Sequence, residues 1–256
     1  PSEKAFLESL NKLNEFKFDF RLSRIKKALK LLKRPQDSFY CVHVAGSNGK
    51  GSVASFIASI LKEHGLKTGL YTSPHLKHPR ERISINGSHI DGRLMAGEGF
   101  KLLSFLRRRK IRLTYFEFMT VLCMVIFRKA GVEAAVMEAG LGGRYDATNV
   151  DYGRKLLSVI TSVSLEHTQY LGNTEAGILE EKRRIVRNEP VVYNCMAPSL
   201  ARMMKHEYGR RAFYAADICG VGETRIFKEG LYALVLLKDR NLLLKPLWPS
   251  QYRLKT

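Results

Sequence analysis

The chain has 256 residues, 45% of them hydrophobic, which suits a globular protein with a substantial core. Its 43 Lys and Arg against 24 Asp and Glu give a formal charge of +19, a surplus that favours polyanions (nucleic acid, anionic lipid, phosphorylated or polyglutamylated small molecules) or simply a lysine-rich surface. No apolar run approaches the ~20 residues of a membrane span, and the first residues, Pro1-Ser2-Glu3-Lys4, lack the apolar core of a signal peptide. Cys41, Cys123, Cys195 and Cys219 are far apart and form no CxxC pair, so we expect reduced thiols in a cytoplasmic protein and neither a disulfide frame nor a zinc site.

Taken in chain order, Leu7, Leu10, Leu13 and Phe16, then Ile25, Ala28, Leu31 and Leu32, recur at helical spacing. They predict two basic amphipathic helices, the second stopped by Pro35. Phe39 to Ala45 is an apolar run ending in a glycine loop, the pattern of a buried parallel strand. A helix follows from about Ser52 to His64, with Val53, Phe56, Ile57 and Ile60 on one face and Gly65 as its stop. Lys67 to Thr72 completes a strand-helix-strand unit. Arg82 to Ile85 alternates and runs into Asn86-Gly87, a hairpin signal. Helices are expected over Gly92–Arg109 and Tyr115–Lys129, strands over Val132–Met137, Leu157–Ser162 and Pro190–Tyr193. Thr174 is placed to cap a helix reaching about Arg187, and Ser199–Tyr208 forms another. This alternation implies an α/β fold: a mainly parallel sheet with helices on both faces, whose ligands collect at the carboxyl ends of the strands. Gly46, Ser73, Glu138 and His167 all follow predicted strands and so belong to one edge. After about Val221 short strands suggest a small antiparallel meander, and Pro246–Thr256 shows no pattern.

The segment Gly46-Ser47-Asn48-Gly49-Lys50-Gly51-Ser52 carries the strongest chemical signal. Glycines allow a tight turn with inward N–H groups that cradle phosphate, and the following helix adds its positive end. Lys50 would neutralise phosphate charge and Ser52 would offer a hydroxyl to Mg²⁺. The spacing departs from GxxxxGK[ST], since Gly51 separates Lys50 from Ser52. The strand before and the helix after make an ordinary turn the weaker reading. ATP is the expected ligand.

The stretch Val44-Ala45-Gly46-Ser47-Asn48-Gly49-Lys50-Gly51-Ser52 resembles the phosphate loop of folylpolyglutamate and dihydrofolate synthases, within the Mur ligase superfamily. The resemblance continues in Gly69-Leu70-Tyr71-Thr72-Ser73-Pro74-His75-Leu76, Arg80-Glu81-Arg82-Ile83 and Thr114-Tyr115-Phe116-Glu117-Phe118. Glu138 to Asn149, Glu166-His167-Thr168, Leu171-Gly172-Asn173-Thr174 and Glu181-Lys182 follow in the same order, so roughly Phe39 to Val192 is covered. The resemblance implies a Mur-ligase-like central domain over 1–220, with N-terminal helices over 1–36. It places a β meander and truncated linker over 221–256, and leads us to expect that a further C-terminal ligase domain is absent.

By the same resemblance, ATP phosphorylates a carboxylate of folate or dihydropteroate, and the amino group of L-glutamate attacks the acyl phosphate. Mg²⁺ is implied, and a monovalent cation such as K⁺ is admitted. The expected metal ligands are Ser52, Ser73, Glu138, His167 and Lys182, with Lys182 carbamylated; Lys50, His167 and Lys182 are the expected catalytic groups. Arg82, Glu117, Asp146 and Ala147 are expected at the substrate. The plain alternatives are a solvated Glu138, a structural His167, a turn-forming Ser73, a surface Lys182, a capping Glu117 and an Asx turn at Asp146. The resemblance suggests a monomer, and neither nucleic acid nor membrane is expected as partner. Two departures stand out: Glu166 where the family has aspartate, and Arg183-Arg184 after Lys182, bulky cations able to crowd a carbamate or pair with it. The expected absence of the further domain and Arg183-Arg184 leave room for a second reading, a nucleotide-binding regulatory or interaction module without ligase activity. A third, a basic P-loop protein acting on nucleic acid, has the charge in its favour but no RNA- or DNA-binding motif.

Overall fold

The computed structural model describes residues 2–13, 21–194, 196–227, 230–237 and 241–244, with side chains through Ile218. The elements are α1 (Glu3–Asn11), α2 (Ser23–Leu31), β1 (Tyr40–Ala45), α3 (Lys50–Glu63), β2 (Thr68–Tyr71), β3 (Ile83–Ile85) and β4 (Ser88–His89). Next come α4 (Gly92–Arg108), α5 (Tyr115–Ala130), β5 (Ala134–Glu138), β6 (Lys155–Ile160), α6 (Thr168–Leu171), α7 (Glu175–Arg183), β7 (Val191–Tyr193) and α8 (Pro198–Tyr208). The described chain ends in β8 (Ala212–Tyr214), α9 (Ala215–Ile218), β9 (Cys219–Phe227), β10 (Gly230–Leu237) and β11 (Asn241–Leu244).

Eight strands form one sheet in the order β4-β3-β2-β5-β1-β6-β7-β8. From β2 to β8 the strands run parallel, and β3 and β4 add an antiparallel edge. β9, β10 and β11 pair antiparallel in a separate sheet, the expected meander. Because β1 lies at the centre, the carboxyl ends of β2, β5, β1 and β6 stand side by side.

Helices cover both faces. On one, α5 buries Phe118, Leu122 and Phe127 among Phe39, Cys41, Tyr71 and Met137 of the strands and their approaches. Further along, Ile178 and Leu179 of α7 and Leu200 and Met204 of α8 pack on Ile160, Val191 and Tyr193. On the opposite face α3 sets Ala54 and Ala58 against Val42, Val44, Val136 and Val159. Here the expected helix face is half right: Val53 and Ile57 pack against this cluster, whereas Phe56 and Ile60 are 52% and 57% exposed. The buried Ala54 and Ala58 face the sheet, and Gly51 lies beside Glu138, where an added Cβ would be in ordinary contact at 3.5 Å from a carboxylate oxygen.

Smaller differences have local causes. The first helix stops at Asn11 with Lys12 as its cap and holds more acid than base; Phe16 lies outside the described residues. α7 ends at Arg183, short of Arg187, where Arg184 caps it. The three-residue β8 has no periodicity to announce it. Thr174 caps α7 as expected, accepting from Gly177 N at 3.1 Å. Cys41 and Cys123 are free and buried; Cys195 and the side chain of Cys219 lie outside the described residues. Among the described residues no helix is long and apolar enough to cross a membrane.

Candidate functional site

The glycine loop of residues 46–52 turns back on the segment that follows β6. Ser47 N donates to Ser162 O at 2.9 Å, Asn48 N to Ser162 Oγ at 2.9 Å, and Thr161 Oγ1 to Asn48 O at 2.6 Å. Ser47 Oγ donates to Ser164 O (3.1 Å) and accepts from Ser164 N (3.0 Å). Gly46 permits this approach: an added Cβ would meet Thr161 Oγ1 at 1.9 Å and Thr161 N at 3.0 Å, on a backbone with φ +153. Lys50 Nζ arches over the loop and donates to Gly46 O (2.8 Å) and Ser47 O (3.0 Å). Gly49 starts α3 in the left-handed region, Gly51 sits in the first turn beside Glu138, and Ser52 is exposed on that turn. A helix start with a lysine beside it is the arrangement that binds phosphate.

Glu138, the last residue of β5, is buried and accepts from Ser73 N at 3.0 Å. Burial pushes its carboxyl up to about 7, against the opposing Ser73 amide and Lys50 charge, and Asp146 adds a further push upward. Glu138 is therefore neither solvated nor ion-paired in the protein alone.

Beyond Ser73 a cleft of about 360 Å³ opens, lined in part by Arg82, Tyr115, Glu117, Gly140, Asp146 and Ala147. Each expected substrate residue is buried and in its wall. Arg82 donates from Nε to His75 Nδ1 (2.8 Å) and places its guanidinium 5.1 Å from the centre of the Tyr115 ring. Glu117 is a capping residue as well as a wall residue: its Oε2 accepts from Thr114 N at 2.7 Å and from Arg24 at 2.9 Å. Asp146 spends its oxygens on the chain itself. Oδ2 accepts from Gly140 N (2.8 Å) and Leu141 N (2.9 Å); Oδ1 accepts from Thr148 N (2.9 Å) and Thr148 Oγ1 (2.5 Å). Burial raises its pKa, and these donors oppose the rise. The Asx-turn reading of 146–149 thus holds alongside the place in the cleft wall.

Lys182 is not a surface lysine; it is 0% exposed and pairs with Glu166. Burial lowers its pKa, opposed by the Glu166 charge, while Glu166, despite its own burial, is held below the usual carboxylate range by Lys182. Gly143 packs against this point: an added Cβ would lie 2.6 Å from Glu181 O and 2.7 Å from Lys182 O. Arg183 and Arg184 neither crowd nor pair with Lys182. Both bind Glu180, and Arg183 also reaches Glu207 at 2.8 Å. His167 is exposed at the start of α6, with φ +43; its carbonyl accepts from Tyr170 N (2.8 Å) and Leu171 N (3.0 Å), and its imidazole has no hydrogen bond or ion pair among the described residues. No three His, Cys, Asp or Glu side chains among the described residues form a metal-holding group. Mg²⁺ does not require one, since it keeps waters and takes one or two carboxylates plus phosphate oxygens.

Residues 44–217 match the Mur ligase middle domain. The chain belongs to that family. Its relatives in the Mur ligase family include a probable dihydrofolate synthetase of Schizosaccharomyces pombe, 42% identical over 172 residues, which are 67% of this chain and 41% of that protein. A dihydrofolate synthase/folylpolyglutamate synthase of Haemophilus influenzae is 37% identical over 189 residues, 73% of this chain and 42% of that one. The fold is similar to the apo form of L. casei FPGS (TM-score 0.85, 30% identity, 94% of this chain and 60% of that one) and to an FPGS-AMPPCP-folate complex (TM-score 0.86, 30% identity, the same coverage). The chain thus spans about two fifths of the length of these curated relatives.

Several residues that build the site are not singled out by the sequence. Glu81 holds the 76–78 turn, accepting from Leu76 N (2.7 Å), Lys77 N (3.0 Å) and His78 N (2.8 Å). Thr148 and Tyr115 act as above. Their only signal was membership in the blocks that carry the resemblance.

Proposed function

We propose that this chain supplies the ATP site and the folate or dihydropteroate site of a ligase that joins L-glutamate through an acyl phosphate. The observation that carries the proposal is the position of Glu138. One carboxylate lies beside Gly51 at the start of the phosphate helix and holds Ser73 N at the edge of the cleft. Nucleotide and acid would therefore meet across it. The AMPPCP-folate complex of the related FPGS supports pairing these two ligands.

The loop amides and Lys50 would bind the triphosphate, with Lys50 turning from the loop carbonyls toward phosphate oxygens. Ser52, Ser73 and Glu138 offer the hard oxygen donors that suit Mg²⁺, which supplies charge neutralisation for phosphoryl transfer. The low dielectric that raises Glu138's pKa also strengthens its attraction for a cation. Arg82 would neutralise the acid substrate in the cleft. A carbamate on Lys182 would replace its attraction for Glu166 by two facing carboxylates, an arrangement that needs a cation between them. His167 would join such a site only if α6 brings it inward.

Isothermal titration with a non-hydrolysable ATP analogue and Mg²⁺ tests the first half: Lys50→Ala should weaken binding about 100-fold. Unchanged affinity would overturn it. Glutamate transfer to dihydropteroate or folate, in the protein that contains this chain, tests the second; nucleotide binding without transfer would favour a regulatory module.

A further inference from the structure

A buried hydrogen-bond chain runs from the central strand to the cleft wall. His43, in the middle of β1, is 0% exposed and lies between Met137 of β5 and Ser158 of β6. Its Nε2 is 2.8 Å from Thr148 Oγ1, and Thr148 Oγ1 is 2.5 Å from Asp146 Oδ1. The other Asp146 oxygen receives the amides of Gly140 and Leu141, which line the cleft. Tyr152 completes the enclosure: its ring lies 6.1 Å from the imidazole and its hydroxyl donates to Thr148 O at 2.9 Å.

The chain has a direction. Thr148 owns a single hydroxyl proton, which goes to the Asp146 carboxylate, an acceptor only. Thr148 Oγ1 must then accept from His43, so the imidazole carries its proton on Nε2. Nδ1 is left bare, and Nδ1 is a buried atom without a partner. The opposite tautomer would bury an N–H with nothing to receive it, the costlier omission. An imidazolium is disfavoured as well, since burial and the Lys155 and Arg187 charges hold His43 well below the usual histidine range.

We propose that His43 is a positioning residue: fixed as its Nε2–H tautomer, it donates to Thr148 and so clamps Asp146 onto Gly140 and Leu141, shaping the cleft wall for a pteridine-bearing acid. The consequence for the ligand rests on the reading of this cleft as the folate or dihydropteroate site. β1 continues from His43 into the phosphate loop at Gly46, so one strand organises both halves of the site.

The tautomer is tested on the unliganded chain by ¹⁵N-histidine NMR, with the His43 signals assigned by their loss in His43→Gln. A pyridine-type Nδ1 and a pyrrole-type Nε2 are expected; the reverse assignment overturns the proposal. The positioning role is tested by titrating folate and an ATP analogue separately into two variants. His43→Leu removes the donor at similar volume, and His43→Gln keeps an N–H at similar reach. His43→Leu should bind folate at least tenfold more weakly with ATP-analogue affinity within twofold of wild type, and His43→Gln should recover most of the loss. Equal loss of both ligands, or no recovery in His43→Gln, would show a merely structural histidine. Should His43→Leu fail to fold, Thr148→Val breaks the same chain one link on and is held to the same pattern. If the wild-type chain binds no folate, the cleft reading falls, and the tautomer alone decides whether the chain exists.

Discussion

The glycine loop after β1 and the cleft wall adjoin at the strand ends, yet they are held by opposite means. The loop is fixed by close approach: backbone and hydroxyl groups of 46–48 meet those of 161–164 with no room for a further carbon at Gly46. The wall is fixed by carboxylates that gather backbone amides, Asp146 for 140, 141 and 148, and Glu117 for 114; outside the cleft Glu81 does the same for the 76–78 turn. A site built by approach fails when a methyl group is added. A site built by carboxylates fails when a charge is removed.

The largest effect expected from this contrast is at the loop. Gly46→Ala forces its Cβ against Thr161 and should cost about 3 kcal/mol or more, measured by chemical denaturation, and should abolish nucleotide-analogue binding. A midpoint matching wild type would remove the close-approach account. Next comes the wall: Asp146→Asn keeps the shape but sets an NH₂ group against donors, and should cost about 2–3 kcal/mol while leaving ATP-analogue affinity nearly unchanged. Coupled loss of both ligands would mean that the two regions are not held separately.

Glu138, between the two, sharpens the comparison through pH. Its pKa rises on folding from 4.5 to about 7, so the folded state takes up a proton. The stability from this group is complete below about 4.5 and is lost as pH rises through about 7. In metal- and nucleotide-free protein, Glu138→Gln should therefore gain on wild type by about 2 kcal/mol between roughly pH 5 and 8.5, followed by thermal melts. A difference that does not vary with pH would contradict it. The smallest effect is at the rim. Arg24→Ala removes a partner that is 28% exposed from a Glu117 that is 6% exposed and still holds Thr114 N, and should cost about 1 kcal/mol in a denaturant titration. A cost several times larger would make α2 a principal support of the cleft.

Much of the fold was legible in particular residues. Phe39–Ala45, the glycines of 46–51 and Val132–Met137 announce strands and a loop because backbone needs leave glycine and apolar runs behind them. The face of α3 was only half legible: Val53 and Ile57 pack as read, but Phe56 and Ile60 are exposed, and the inward positions beside them go to Ala54 and Ala58. Lys182 and Arg183-Arg184 read alike as basic residues; only Glu166, Glu180 and Glu207 sort them into a buried cation, a half-buried one and an exposed one.

By itself the sequence determined the parallel α/β plan, the glycine turn between β1 and α3 and the family, because each is recorded within short runs of neighbouring residues. The tertiary structure alone decided which acids hold the wall, what Lys182 faces and what His43 faces. Those depend on partners such as His43 and Thr148, 105 residues apart, whose meeting no local pattern encodes.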